Sequence, residues 1–296
     1  MPSNSTDLLF RHITQYLLPK PNEKALIYHY SSPSGLKSIL ENQILWVSDF
    51  AFLNDKSENR YLYEVLEGVL KNFKLSLELN SDFLDELTQI LNQRADSIPD
   101  NYYRYICSFS SNPDSLSLWN YYTKTATGAG YNIGFDWKLL LSNTSAPMEQ
   151  EINCGKVLYE PNEQANLLEI TVVGYNAAYA SASSPEEKSQ ILTELKSCLD
   201  ILSAYIKHPA FINEEEIRIC ITQKKNSSRS RNAKYRESNG IMVPYLPIKF
   251  PVDAVKCIGV SPTNAKELSA YGISGMLMDL GYVNVKVIHS GIPLRN

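Results

Sequence analysis

Phe211-Ile212-Asn213-Glu214-Glu215-Glu216-Ile217-Arg218-Ile219-Cys220-Ile221 is the stretch on which the reading of the chain turns, because an acidic cluster runs directly into a strict alternation of isoleucines. Alternation predicts a strand whose Ile217, Ile219 and Ile221 face a core. Two-residue periodicity then puts Glu214, Glu216 and Arg218 together on the opposite face, provided the strand extends that far back. Such a charged row serves either a site or a solvated edge whose charges deter aggregation.

Working outward, further strand-like segments lie at Leu26–Tyr30, Tyr105–Ser110, Tyr131–Asp136, Ile241–Ile248, Val255–Val260 and Val283–His289. Helical spacing appears in Leu36, Ile39 and Leu40 of the segment Pro33–Asn42. It recurs in Leu62, Val65, Leu66, Val69 and Phe73, and again in Phe83, Leu84, Leu87, Ile90 and Leu91. Ser184-Pro185-Glu186-Glu187 combines an N-cap serine, a proline in the first turn and a capping-box glutamate, and opens a helix expected to run to about Ile206. The pattern is that of a strand-rich α+β chain. With no repeat or strong linker, it is expected to form one domain over residues 1–296, with helical insertions at about 60–97 and 160–207.

Several segments carry side chains suited to a ligand. Tyr28, His29 and Tyr30 sit together in the first strand, where hydroxyls and rings can grip a ribose or a flat heterocycle. In Cys107-Ser108-Phe109-Ser110 the alternation places Ser108 and Ser110 on one face, leaving room there. Trp119 and Tyr122, three apart, share a face if they lie on a helical turn and can then cover a planar ring or simply pack. Asn54, Asp55 and Glu58 fit either a site or ordinary N-capping of the next helix.

Composition narrows the function classes. The chain has 296 residues, 44% of them hydrophobic, and a net charge of only −4, so no global field draws it to nucleic acid or an anionic membrane. The exception is local. Lys224, Lys225, Arg229, Arg231, Lys234 and Arg236 concentrate in a polar segment read as a mobile surface loop able to meet phosphates. Five dispersed cysteines, a polar N-terminus and no apolar run of membrane length point to a reducing, cytoplasmic setting without a membrane partner. The four histidines have no partner at zinc spacing, so no metal is expected.

Taken in order, Tyr28-His29-Tyr30, Phe52-Leu53-Asn54-Asp55-x-x-Glu58, Cys107-Ser108-Phe109-Ser110, Trp119-x-x-Tyr122, Gly134-Phe135-Asp136 and Phe211-x-x-Glu214-x-Glu216-x-Arg218 resemble the bacterial domain of unknown function 2971 family over about Leu26 to Pro262. That family is similar to the ADP-ribosyltransferases. The resemblance implies a split-sheet core, NAD as the bound substrate, and Glu216 as the catalytic glutamate with Glu214 as the outer member of a Glu-x-Glu pair. It further suggests His29 for the first-strand NAD contact and Ser108 and Ser110 for the second-strand hydroxyl motif; Tyr28, Tyr30, Trp119 and Tyr122 are the candidates to grip the ribose or cover the ring, and Arg218 either holds a carboxylate or phosphate of NAD or pairs with Glu214 to orient the site. The sequence departs from those transferases in its helical insertions and in lacking an obvious first-strand arginine. By the same association the acceptor is a protein, RNA or DNA, and the role that of a toxin or phage-defence effector with an antitoxin partner. Two other readings of these residues stand: a non-catalytic nucleotide-binding module, and a nuclease or NAD hydrolase using Glu214, Glu216 and His29.

Overall fold

The computed structural model describes residues 9–10, 12–13, 18–52, 58–73, 79–93, 102–122, 129–142, 150–225, 233–238, 240–263 and 266–293. Its strands are β1 Leu26–Ser31, β2 Ile44–Asp49, β3 Tyr102–Ser110, β4 Tyr131–Asp136, β5 Gln150–Lys156, β6 Glu216–Lys224, β7 Lys234–Ser238, β8 Ile241–Lys249, β9 Val255–Val260 and β10 Lys286–His289. The α-helices are α1 Pro33–Asn42, α2 Glu58–Phe73, α3 Ser81–Gln93, α4 Leu116–Tyr122, α5 Trp137–Ser142, α6 Pro161–Ser181, α7 Pro185–Leu202 and α8 Lys266–Asp279. The class is α+β, as the periodicities predict.

All ten strands belong to one sheet, and its topology turns on β3. One edge of β3 pairs with β6 along its whole length, from Tyr102 opposite Lys224 to Ser110 opposite Glu216. The other edge is divided. It meets β1 only at Tyr28 opposite Ser110, and β2 only where Ser48 and Asp49 face Ile106 and Tyr105. β1 continues into β4, β9 and β10, whereas β2 continues into β8 and β7, so the sheet splits beside β3. Two sets of strands diverging from a shared strand leave an opening between them.

Alternation along the strands assigns each face its own core. Ile27, Leu45, Val47, Tyr105, Phe109, Ile217, Ile219 and Ile221 pack with Leu36 and Leu40 of α1 and Ile273 and Leu277 of α8. On the other face Ile106 and Cys220 pack beneath α2, α3, α6 and α7 through Leu62, Phe83, Leu168 and Leu199. Arg104, on this second face, donates to Ser203 Oγ at 2.8 Å and to the Asp200 carbonyl, while its guanidinium lies 4.5 Å over the Phe50 ring. α7 starts as its capping box requires: Ser184 Oγ accepts from the Glu187 N–H at 3.2 Å, and Glu187 accepts from the Ser183 N–H at 2.7 Å.

Some elements differ from expectation. β2, β5 and β7 and helices α6 and α8 carried no strong periodic signal, and α7 ends at Leu202, short of Ile206. The segment read as one mobile loop is in part sheet: Lys224 closes β6, and Lys234 and Arg236 lie in β7, paired with Tyr245 and Val243 of β8. The backbone hydrogen bonds of a hairpin override the polar composition of an edge strand. Arg229 and Arg231, like Asn54 and Asp55, lie outside the described residues.

Candidate active site

A cavity of about 370 Å³ opens at the split, lined by the β1, β3 and β6 strands and by α4. Its polar floor is an ion cluster. Glu216, the first residue of β6, is 7% exposed, and Arg218 grips it bidentately, Nε to Oε1 and Nη2 to Oε2, each at 2.8 Å. The remaining Arg218 nitrogen, Nη1, donates to the Ala204 carbonyl at 2.8 Å, which locks the guanidinium to the end of α7. Lys207 Nζ bridges the two acids, 2.7 Å from Glu214 Oε2 and 3.2 Å from Glu216 Oε2. Burial alone would push the Glu216 carboxyl up; the Arg218 charge and hydrogen bonds, Lys207 and the Ser108 hydroxyl outweigh it and bring it down to about 2. Glu216 is therefore a carboxylate at any physiological pH.

Glu214 reaches this cluster by a different route from the one alternation suggests. β6 begins at Glu216, and Glu214 ends a 3₁₀ turn, Pro209–Glu214. Between them Glu215 has φ 44°, left-handed backbone that a strand cannot carry. Its carboxylate is held outside the cavity by Ser111 Oγ and Asn112 Nδ2, both at 2.9 Å. Ser110 Oγ completes the turn by donating to the Glu214 carbonyl at 2.7 Å and accepting from the Asn112 N–H at 3.0 Å. Of the two serines, Ser110 thus shapes the site and Ser108 reaches the carboxylate.

The walls are aromatic. Tyr28, Tyr30, Tyr121, Tyr122 and Phe211 line the cavity. Gly134 makes room for its two neighbours Cys257 and Tyr28, since a Cβ there would lie 2.5 Å from Cys257 Sγ and 3.0 Å from the Tyr28 ring. The Tyr30 hydroxyl donates to the Asn112 carbonyl at 2.8 Å and accepts from the Ser115 N–H, so only the ring of Tyr30 is free to meet a ligand. Trp119 stacks edge-on against that ring at 4.6 Å, and its indole donates to Asp114 at 2.8 Å; it buttresses the wall without lining it. Tyr122 of α4 lies ring to ring 6.5 Å from Tyr30 of β1 and keeps 46% of its surface exposed.

His29 is not brought to the cavity. Flanked by Tyr28 and Tyr30, it must point to the opposite face, where its ring packs 5.5 Å from Phe109 and Nδ1 donates to the Ser108 carbonyl at 3.0 Å. Burial there lowers its pKa. Conversely, two residues that sequence reasoning passed over are central. Lys207 supplies the second cation. Gln164, fully buried at the start of α6, donates to the carbonyls of Leu158 and Lys207 at 2.8 Å each and accepts from Tyr61 Oη, which fixes the backbone that carries Lys207. Of the basic segment, Lys225 lies 5.2 Å over the Tyr103 ring and Arg236 donates to Ser48 Oγ at 3.2 Å.

Among the described residues no group of three His, Cys, Asp or Glu side chains is placed to hold a metal ion, and no helix is long and apolar enough to cross a membrane. The five cysteines are buried and free. No curated protein and no solved structure matches the chain. A family model does: residues 118–219, which contain most of α4, the Lys207 segment, the Glu214 turn and the first residues of β6, are similar to the family described as Protein of unknown function (DUF2971).

Proposed function

We propose that the chain is an ADP-ribosyltransferase that cleaves the nicotinamide–ribose bond of NAD and transfers ADP-ribose to a macromolecular acceptor, working in the reducing cytoplasm where its free buried cysteines persist. The observation that carries the reading is an ionised carboxylate, Glu216, fixed at the base of an aromatic-walled cavity at the split of the sheet. The cavity volume falls within the usual span for small-molecule sites, about 300–1,000 Å³. Its tyrosines and Phe211 offer faces for the flat nicotinamide. The likeness to the transferases rests on this split, on the Glu-x-Glu pair and on the ordered motifs.

The chemistry follows from charge. Breaking the C1′–N bond sends the electron pair to the pyridinium nitrogen, releasing neutral nicotinamide and leaving an oxocarbenium ion on the ribose. Glu216 stabilises that cation, as carboxylates do in glycoside hydrolysis. The acceptor nucleophile then forms the new bond at C1′, and its proton passes to Glu214, the more exposed of the two acids. Arg218 holds Glu216 in orientation. One constraint is built in: with Arg218, Lys207 and Ser108 donating to it, Glu216 has its acceptor sites filled. A ribose hydroxyl enters by replacing the Ser108 hydroxyl, the only neutral donor of the three.

That saturation also favours a second reading, a nucleotide-binding module without turnover. Labelled NAD incubated with the protein, alone and with cell RNA, DNA or protein, separates the two. Transfer of label, with nicotinamide released, is the expected result. NAD-dependent thermal stabilisation without release supports the binding module, release without transfer an NAD hydrolase, and no stabilisation at millimolar NAD sinks the NAD assignment.

A further inference from the structure

On the far lip of the split, the face that carries Glu216 and Ser108 continues across β2, β8 and β7, where Trp46, Lys234 and Lys249 stand exposed on it. Register places Trp46, Ser48, Tyr245, Lys249, Lys234 and Arg236 on it: Ser48 stands opposite both Ile106 and Tyr245, Tyr245 opposite Lys234, and Val243 opposite Arg236. Trp46 is 45% exposed. Its ring lies 4.8 Å from that of Tyr245 with 35° between planes, and the Arg236 guanidinium sits 5.8 Å over it while donating to Ser48. Arg236 Nε is buried with no hydrogen-bond partner among the described residues. Lys234 and Lys249 are exposed on the same face. Among the described residues, no carboxylate of β2, β7 or β8 shares it, since Asp49 stands opposite Tyr105 and Glu237 opposite Met242, both on the other side.

We propose that this Trp46–Tyr245–Arg236 face binds single-stranded nucleic acid, its aromatic pair stacking on bases and its three cations meeting phosphates. The exposed indole and the half-buried phenol offer π-faces to a base, and among the described residues the charged side chains that β2, β7 and β8 place on this face are all cations although the whole chain is acidic. A duplex hides its base faces and offers nothing for Trp46 to stack on. Because β2 neighbours β3 on the same face, a strand lying on Trp46 leads to the cavity edge at Ser108. Resting on the transferase reading, this makes single-stranded nucleic acid the acceptor; the binding itself is independent of that reading.

The test is fluorescence anisotropy of a labelled oligouridylate of about a dozen nucleotides at low salt, alongside its duplex with oligoadenylate, without NAD. Wild-type protein is expected to prefer the single strand and to show quenched tryptophan emission on binding. Trp46→Ala should weaken binding on the order of tenfold, Trp46→Phe should retain most affinity while abolishing the quench, and Ser184→Ala, which removes only the cap of α7, should bind as wild type. Arg236→Ala should weaken binding and flatten its salt dependence. Thermal melts of each variant establish folding. No binding at low salt, equal affinity for duplex, or full affinity in a folded Trp46→Ala protein overturns the proposal. Binding with no ADP-ribosyl transfer would leave this site standing and remove only the transferase reading.

Discussion

Glu216→Gln is the most informative single change, and its cost can be worked from the ion cluster. Glutamine reproduces the shape of a protonated Glu216, so the variant loses what the fold gains from the charged form. The carboxyl falls from an ordinary 4.5 to about 2, which corresponds to about 3 kcal/mol of stabilisation held by the ionised state. That agrees in order with the about 3–5 kcal/mol lost when one partner of a buried ion pair is removed, here leaving Arg218, 3% exposed, against Lys207 with Glu214 alone to balance them. For a chain of this size the melting temperature at pH 7 should drop by about 6 °C. The pH dependence has a definite sign. A depressed carboxyl contributes stability that is fully present above 4.5 and is lost as pH falls toward 2, so the gap between wild type and variant stays constant from pH 7 to about 5 and closes below it. Calorimetry across that window, with far-ultraviolet dichroism to confirm folding, measures both. In the same preparation NAD turnover should fall on the order of a hundredfold. A gap that does not narrow in acid would refute the ion-cluster account, and a folded variant with wild-type turnover would remove Glu216 from the chemistry.

Two further perturbations probe the support of the site. Gln164→Leu keeps the volume but strands the carbonyls of Leu158 and Lys207, and should cost about 2–3 kcal/mol, seen as a lower urea midpoint with an unchanged slope. Ser184→Ala removes the cap of α7 away from the cavity; a loss of about 1 kcal/mol with unaltered NAD binding is expected from parallel melts and titrations.

What could be read of the fold depended on how each element is covered. Tyr131–Asp136 and Val255–Val260 are central strands with apolar residues on the core side, and their bounds match the periodic reading; so do those of Pro33–Asn42, with its capping serine, its proline and one apolar stripe. Gln150–Lys156 reads as polar because only Ile152 and Cys154 face the core from that edge. Lys234–Ser238 is almost wholly polar and becomes a strand only through its hairpin with β8. α6 hides for the opposite reason. Val172, Tyr175 and Tyr179 are buried while Ile170 and Val173 are exposed, so apolar residues surround the helix and blur its amphipathic stripe.

The site divides along the same line between what periodicity encodes and what a turn brings together. Glu216, Arg218 and Ser108 follow from two-residue alternation, and that same rule, applied to Tyr28-His29-Tyr30, already separates His29 from its neighbours. Lys207 has no periodic relation to anything. It lies five residues beyond the end of α7 and just before His208-Pro209, seven residues before Glu214, and only the folded turn sets its amine between the two acids. A cation stranded between a long helix and a proline, just upstream of an acidic strand start, is the signal that was there to find. Stability does not explain the arrangement well, because four ionised groups this buried cost more in lost hydration than their pairing returns, and apolar residues of similar volume would hold β6 to α7 at least as firmly. The two apolar cores show that this chain packs elements without ions where packing is all that is required. The charges gather instead where the sheet opens. A fixed negative carboxylate facing a cavity is what the proposed passage through a sugar cation would use, and the cluster's cost in stability supports reading it as a site.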